Sequence, residues 1–398
     1  GNLYKDDLNQ YEKAIAQYVK ILDFNPEYVL AYNNIGLTYE VDLKNYDKAE
    51  EYYLKAIKVD SLSPSPYVNL ALLSNKREEY EKAIEYYTKA IELAPEKDNY
   101  YYRRTTPYEE LEMYAEAEAD YLKAIELDPE DEDYYLDLGN LYKDELEELE
   151  KAKSQFIKAM DVLQETISSS IDSLKSAKIY LRMGNIYSEN LEDYKSSIEM
   201  FNRSINIKPT SRALNKRGNS NLTLNQFDSA EVDFLQAIEI NQELIKNGDT
   251  TNNSVLSSSY MGISHIYVNN KQYEKAIKSL QKTIELDRDD PDGFYKLAIV
   301  YKEKSEFFKA LEQISKSIDK TEESKLNNEN YYILSMDDNV TRLSIEDLLI
   351  LRAEIMYNIS GENKMSCDDL NRALEESNDD KNKEKSESIQ KRIALICN

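Results

Sequence analysis

YVNLALLSNKREEYEKAIEYYTKAIELAP, running from Tyr67 to Pro95, decides the fold. Its large and small residues stand at Tyr67, Leu70, Ala71, Ala83, Tyr87, Ala90 and Pro95. A period of 34 residues later the pattern returns as Tyr101, Tyr108, Ala117, Tyr121, Ala124 and Pro129. A fixed period of this length marks stacked helical hairpins, each burying its apolar face against the next. Such a chain offers a long surface rather than a deep catalytic pocket.

The columns continue outward from that stretch. Tyr135, Leu138, Gly139 and Tyr142 fall at i, i+3, i+4 and i+7, which is one face of a helix. Ala152, Phe156 and Ala159 form the following helix at the same periodicity. Tyr180, Met183, Gly184 and Tyr187 repeat the first helix, and Ser197, Phe201, Ser204 and Pro209 the second. Gly or Ala lets two helix backbones approach, and an aromatic ring fills the space beside them. Pro26, Pro95, Pro129 and Pro209 each follow the small residue of a second helix by twelve positions and end that helix, because proline disfavours a helical residue before it. Further copies centre on Gly36/Ala49, Ala71/Ala83, Gly218/Ala230, Ser264/Ala276 and Ala298/Ala310, with a degenerate copy from Ile350 through Tyr357 to Leu370 and Ala373.

This pattern resembles the tetratricopeptide repeat family, over most of the chain. The resemblance implies an all-α fold: a right-handed superhelical solenoid of antiparallel helix pairs, with about nine repeats plus a truncated first one. Gly1-Asn2-Leu3-Tyr4-Lys5-Asp6 repeats Gly139-Asn140-Leu141-Tyr142-Lys143-Asp144, and Ala14 and Ala152 each follow the leading glycine by thirteen positions. The chain therefore reads as beginning inside a first helix. Its division is a repeat array over 1–320, an insert over 321–344, a last degenerate repeat over 345–376 and a capping helix over 377–398 that carries Ile389, Ile393 and Ile396.

Several stretches depart from the pattern. Thr105-Thr106-Pro107 predicts a kinked or shortened first helix. The links 161–176 and 241–259 are long and Ser-rich, and predict either lengthened helices or surface loops. The insert holds Tyr331-Tyr332-Ile333-Leu334 and Asp337-Asp338-Asn339; it reads as a functional loop, including one that fills the groove, or as a self-packed one. Ser344 with Asp347 reads as the cap of the helix that follows.

Composition sets limits on function. The 398 residues carry 50 basic and 76 acidic side chains, a net charge of -26. That charge argues against binding nucleic acid or an anionic membrane and fits solvated outer helix faces. Nine glycines and eight prolines are few, as long helices require. With no Trp and 33 Tyr, tyrosine takes the large-aromatic packing role. Cys367 and Cys397 lack zinc-ligand spacing and make no disulfide framework, which fits a reduced, cytoplasmic setting. No apolar run of about 18 residues exists, so no membrane insertion is expected. His265 is the single histidine, and no Gly-rich phosphate loop is present. The sequence thus implies no catalytic residues, no metal site and no cofactor. Asp287, Asp289, Asp290, Asp292 and Gly293 look like a calcium loop, but the glycine is out of register and no acid closes it, so an inter-repeat turn is expected.

The sharpest candidate site lies on two neighbouring first helices. Lys178, Arg182 and Asn185 fall at i, i+4 and i+7, and Arg212, Lys216 and Asn219 have the same spacing one period on. Each Asn follows the glycine of the packing stripe, which turns it about 100° off the buried face. The resemblance implies that first helices line a concave groove. There an Asn amide both donates to and accepts from a peptide backbone, and Arg and Lys bind carboxylates. Asn140 and His265 belong to the same face in adjoining repeats, although Asp133, Asp137, Ser258 and Gly262 stand where basic residues would be. The competing reading of the stripe is solvated or intramolecular ion pairing. The acidic stretch Asp131–Glu150 is likewise a solvated surface or a seat for a basic partner.

These residues imply a non-enzymatic scaffold that holds a peptide or helix of a protein partner, as a monomer or weak homodimer. Two alternatives stay open: a regulatory arm of a larger multidomain protein, and a self-associating spacer.

Overall fold

A second helix such as YEKAIEYYTKAIEL carries Ala83, Tyr87 and Ala90 on one stripe, and all three are buried against its partner. The same stripe closes every hairpin of the computed structural model. The structure describes residues 11–169, 172–248, 251, 253–326, 333–334, 342–343, 345–360, 363–376 and 383–397. They form two compact units, Gly1–Ser170 and Ile171–Asn398.

The first unit begins with α1 (Tyr11–Phe24), followed by the pairs α2 (Val29–Leu37) and α3 (Tyr46–Val59), α4 (Pro64–Lys76) and α5 (Tyr80–Leu93), α6 (Asp98–Glu110) and α7 (Tyr114–Leu127), and α8 (Glu132–Asn140) and α9 (Leu149–Ser169). The second contains α10 (Ser173–Asn185) and α11 (Tyr194–Ile207), α12 (Ser211–Thr223) and α13 (Phe227–Lys246), α14 (Asn253–Asn269) and α15 (Tyr273–Leu286), α16 (Pro291–Glu303) and α17 (Phe307–Leu326), α18 (Ile345–Ser360) and α19 (Asn363–Glu376), and finally α20 (Lys383–Ile396). Each unit is an all-α stack of helix pairs. The one exception among the described residues is an antiparallel strand pair in the second unit, β1 (Ile333–Leu334) and β2 (Arg342–Leu343), with Ile333 opposite Leu343.

Glycine sets how closely paired helices approach. A Cβ on Gly36 would lie 2.5 Å from the Tyr53 ring, and one on Gly139 would lie 2.5 Å from Phe156. Gly184 and Gly218 sit in the same way against Phe201 and Phe234.

Every hairpin from α2–α3 to α16–α17 turns through one residue in the left-handed region, and none of the eight is glycine: Lys44, Glu78, Glu112, Glu147, Glu192, Asn225, Lys271 and Ser305. A backbone bond then closes the turn. Where the two small residues are twelve apart it spans five positions, as from Glu79 N to Ser74 O (2.9 Å) and from Gln272 N to Tyr267 O (2.7 Å). Gly36/Ala49, Gly139/Ala152 and Gly184/Ser197 are thirteen apart. There the bond spans six, from Asn45 to Tyr39, Glu148 to Tyr142 and Asp193 to Tyr187, each 2.7 Å. The extra residue is absorbed in π-helical turns at Thr38–Asp42, Leu141–Glu145 and Ile186–Asn190, which leave the stripe in register.

Three expectations need correction or completion. Pro107 does not shorten its helix, because α6 runs 13 residues, as α4 and α12 do. Pro107 occupies the core column of Leu73 and Leu141, its ring is buried, and packing outweighs one missing N–H bond. The Ser-rich links lengthen helices: α9 has 21 residues and α13 has 20. The two cysteines are paired, Cys367 with Cys397 at a Cα separation of 5.7 Å, tying the end of α20 to α19. Their pairing was unreadable in sequence because it needs the chain to fold back over 30 positions.

Near the insert, α17 continues to Leu326, so the boundary drawn at 320 falls inside a helix. Ser344, the start of the chain through residue 10, and most of 327–341 lie outside the described residues. Ile389 of α20 is buried in the core of α16 to α19, with Ile393 packed beside it.

Candidate peptide-binding face

The second unit brings the two basic stripes onto adjoining helices. The side chain of Asp172 caps α10 by accepting from Leu174 N (2.8 Å), and that of Thr210 caps α12 by accepting from Ala213 N (3.2 Å). Lys178, six residues past its cap, and Arg212, two past its cap, both stand six positions before the packing glycine, and both are exposed. Neither makes an ion pair among the described residues.

The remaining members of the stripes differ. Lys216 is half-buried and donates to Glu189 Oε1 at 2.5 Å, joining α12 to the π-helical turn after α10. Intramolecular pairing, the competing reading, holds for this residue. Arg182 is half-buried and has partners of its own. Asn219 is half-buried and makes a long bond to Asn215 Oδ1 (3.4 Å). Asn185 is half-buried, and its Oδ1 is shielded from solvent without a hydrogen-bond donor. His265 is half-buried on α14, with interactions of its own. Asn140 is half-buried on α8 and belongs to the first unit.

Sequence reasoning missed the residue that links these helices. Asn215 is buried, and its Nδ2 donates to Ser259 Oγ (2.9 Å), tying α12 to α14. Its column is polar at Asn33 as well, where Asn69 Nδ2 donates to Asn33 Oδ1 (2.8 Å) between α2 and α4. A polar residue three before the packing glycine was the available signal.

Also missed was a clamp beside the site. Arg217 donates from Nε to Asp233 Oδ2 (3.0 Å), and Asn221 Nδ2 donates to the same oxygen (3.0 Å). Arg104 with Asp120 and Arg352 with Asp369 repeat the arrangement. In each case an Arg directly before the small residue of the first helix reaches a buried Asp on the second. These arginines hold the hairpin and leave the binding face to the stripe residues.

The first unit presents different chemistry on its first helices. Tyr102 OH donates to Asp137 Oδ2 (2.6 Å), Tyr134 OH donates to Asp98, and the two rings lie 4.8 Å apart. Burial, and then the Asp137 carboxylate, push the Tyr102 hydroxyl above its ordinary range. Burial also raises the Glu109 carboxyl, which accepts from Tyr121 OH at 2.6 Å. The acidic stretch is thus partly engaged within the unit, Glu145 accepting from Tyr114 OH as well (2.7 Å). Among the described residues no helix is long and apolar enough to cross a membrane.

Comparison with known families and structures gives consistent matches. A TPR repeat model matches residues 1–41 and 265–305. Two tetratricopeptide repeat models match 64–97, and 29–61, 100–131, 177–211 and 211–244. Together the matched segments cover more than half of the chain. No curated protein matches. Among solved structures, MamA is 24% identical over 40% of this chain and 92% of its own, with a TM-score of 0.37. YrrB, described as a TPR protein with an unusual peptide-binding site, is 25% identical over 52% of this chain and 94% of its own, with a TM-score of 0.32. The Cut9–Hcn1 APC/C hetero-tetramer is 16% identical over 80% of this chain and 57% of its own, with a TM-score of 0.43.

Proposed function

We propose, from the premise that this chain belongs to the tetratricopeptide repeat family, that it is a non-enzymatic interaction scaffold whose α10–α12 face holds an extended peptide of a protein partner. The observation that carries this reading is Asn185. Its Oδ1 is screened from water with no donor, and such an acceptor costs about 1–3 kcal/mol unless something supplies the bond. Turned outward, this half-buried side chain would accept from a peptide N–H through Oδ1 and donate to a peptide carbonyl through its amide nitrogen. On the same faces Lys178 and Arg212 extend into solvent, ready for carboxylates of the bound segment. The ligand expected is therefore an extended, acidic peptide.

Selection from a phage-displayed random peptide library on the immobilised chain tests this. Acidic peptides should be enriched, and Lys178→Glu with Arg212→Glu should weaken them at least about tenfold while helicity is unchanged. These two positions are better probes than Lys216, whose reversal would disturb Glu189. Equal binding by the variant would remove the site, and no enrichment would remove the peptide-binding reading altogether.

A further inference from the structure

α20 is a polar helix with a narrow apolar side. Six of the 14 residues in KEKSESIQKRIALI are charged, and a helix of this length is marginal in water on its own. Among its described side chains Ile389 is the one fully buried, with Ile393 half-buried beside it. Arg392 adds an ion pair to Glu354 of α18. The covalent tie comes last along the chain: Cys397, just past the helix, is bonded to Cys367 of α19. Both cysteines are half-buried, packed with Ile350, Ala353, Leu370 and Ile393.

The hairpin beneath has its own fastenings. Arg352 donates from Nε to Asp369 Oδ2 (2.8 Å) and from Nη2 to Oδ1 (2.7 Å), which clamps α18 to α19. Glu354 also accepts from Lys302 Nζ of α16 at 3.0 Å. Departure of Arg392 therefore leaves this carboxylate paired and strands no charge. Lifting α20 costs the burial of two isoleucines and one ion pair, while the clamp on α18 and α19 stays closed.

We infer that the Cys367–Cys397 bond is a redox-controlled latch on α20, and that its reduction releases the helix and uncovers the apolar side of α18–α19 at Ile350, Ala353 and Leu370. The inference does not depend on a peptide at α10–α12. A dithiol is the class of reductant required. Its thiolate attacks one sulfur and the other leaves as a thiolate, which takes a proton from water. The second thiol of the reductant then displaces the mixed disulfide. Cys367 and Cys397 end as two thiols, and the reductant as a cyclic disulfide. Half-buried sulfurs leave room for this approach, as fully enclosed ones would not. The bond closes 30 positions of chain, and such a bond acts largely by restricting the open form. Its loss should favour opening of α20 about a hundredfold.

Hydrogen exchange of the full chain, read by mass spectrometry before and after dithiothreitol, tests the latch. Exchange in α20 should rise about a hundredfold, that in α16 to α19 should change less than about twofold, and oxidised dithiothreitol should restore protection. Cys397→Ser, placed beyond the helix, should give the open pattern without reductant. Alkylation of the native chain should then count two thiols after dithiothreitol. Unchanged protection of α20 in the reduced chain and in Cys397→Ser overturns the proposal, because the helix is then held without the bond. Exchange that rises equally through α18 and α19 also overturns it, since the bond is then a staple of the whole hairpin. So does a native chain in which dithiothreitol leaves the disulfide intact.

Discussion

Tyr53, Tyr87 and Tyr121 hold the central ring of three consecutive hairpins, and Phe156, Phe201 and Phe234 hold it in the next three. The rings do the same packing in both sets, because the stripe requires only a flat apolar body beside a small residue. The hydroxyl is the difference, and it brings an obligation. Tyr53 OH donates to Glu40 Oε2 at 2.8 Å, and Tyr121 OH donates to Glu109 at 2.6 Å. Burial, and then the nearby carboxylate, push both hydroxyls well above their ordinary range. Tyr87 is as deeply buried, yet its OH has no hydrogen-bond partner. At the position equivalent to Glu40 and Glu109 this hairpin carries Asn75, whose Oδ1 is also without a partner. A ring column is thus a packing rule, and whether a hydroxyl on it stabilises depends on one residue a dozen positions earlier.

The largest expected effect tests the packing half of that comparison. Gly184→Val places branched methyls where the Phe201 ring already sits, and should cost about 1–3 kcal/mol, read as lost hydrogen-exchange protection in α10 and α11. Phe201→Leu in the same chain should recover part of the loss. If Gly184→Val leaves protection unchanged, the ring does not rest on the glycine as described.

The hydroxyl half predicts opposite signs for one substitution. Tyr53→Phe removes the donor from buried Glu40, which retains Lys76 at 2.5 Å, and should destabilise by about 1–2 kcal/mol. Tyr87→Phe removes a hydroxyl that nothing satisfies, and should be neutral or stabilise by up to about 1 kcal/mol. Denaturant midpoints of the two variants decide the matter. Equal losses would mean that Tyr87 OH is satisfied after all.

Much of this is legible in the amino-acid sequence. The small and aromatic columns fixed the helix pairs, because a periodicity near 3.6 reports directly which residues face inward. The alternation of twelve and thirteen positions between small residues was visible too. Counting reveals an extra residue but not whether a turn or a helix absorbs it, and here π-helical turns do. At the candidate face, the turn of Asn185 away from the core followed from its place after Gly184. The partner of Lys216 did not, because Glu189 lies 27 residues earlier and the pairing depends on how two long side chains lie across adjoining helices. Asn215 was passed over because its column is core-facing, where a polar residue matters only once Ser259 is known to stand opposite.

The smallest expected effect asks whether the turns share the difference between the two sets of hairpins. Glu78 belongs to the Tyr87 hairpin and Glu192 to the Phe201 hairpin; both are exposed, with φ of 59° and 54°. A side chain in this region costs about 1 kcal/mol through its Cβ, a strain that glycine lacks. Glycine also loses more freedom on folding, so the net gain from Glu78→Gly or Glu192→Gly should be about 0.5 kcal/mol. The closing bonds, Glu79 N to Ser74 O and Asp193 N to Tyr187 O, involve neither side chain and survive both changes. Because the strain is set by the backbone alone, the two gains should be equal although one hairpin carries the π-helical turn and a Phe ring, and the other carries neither. Unequal gains in denaturant midpoint, or a loss in either variant, would show that the turn responds to the ring column, and that the two sets of hairpins differ in more than a hydroxyl.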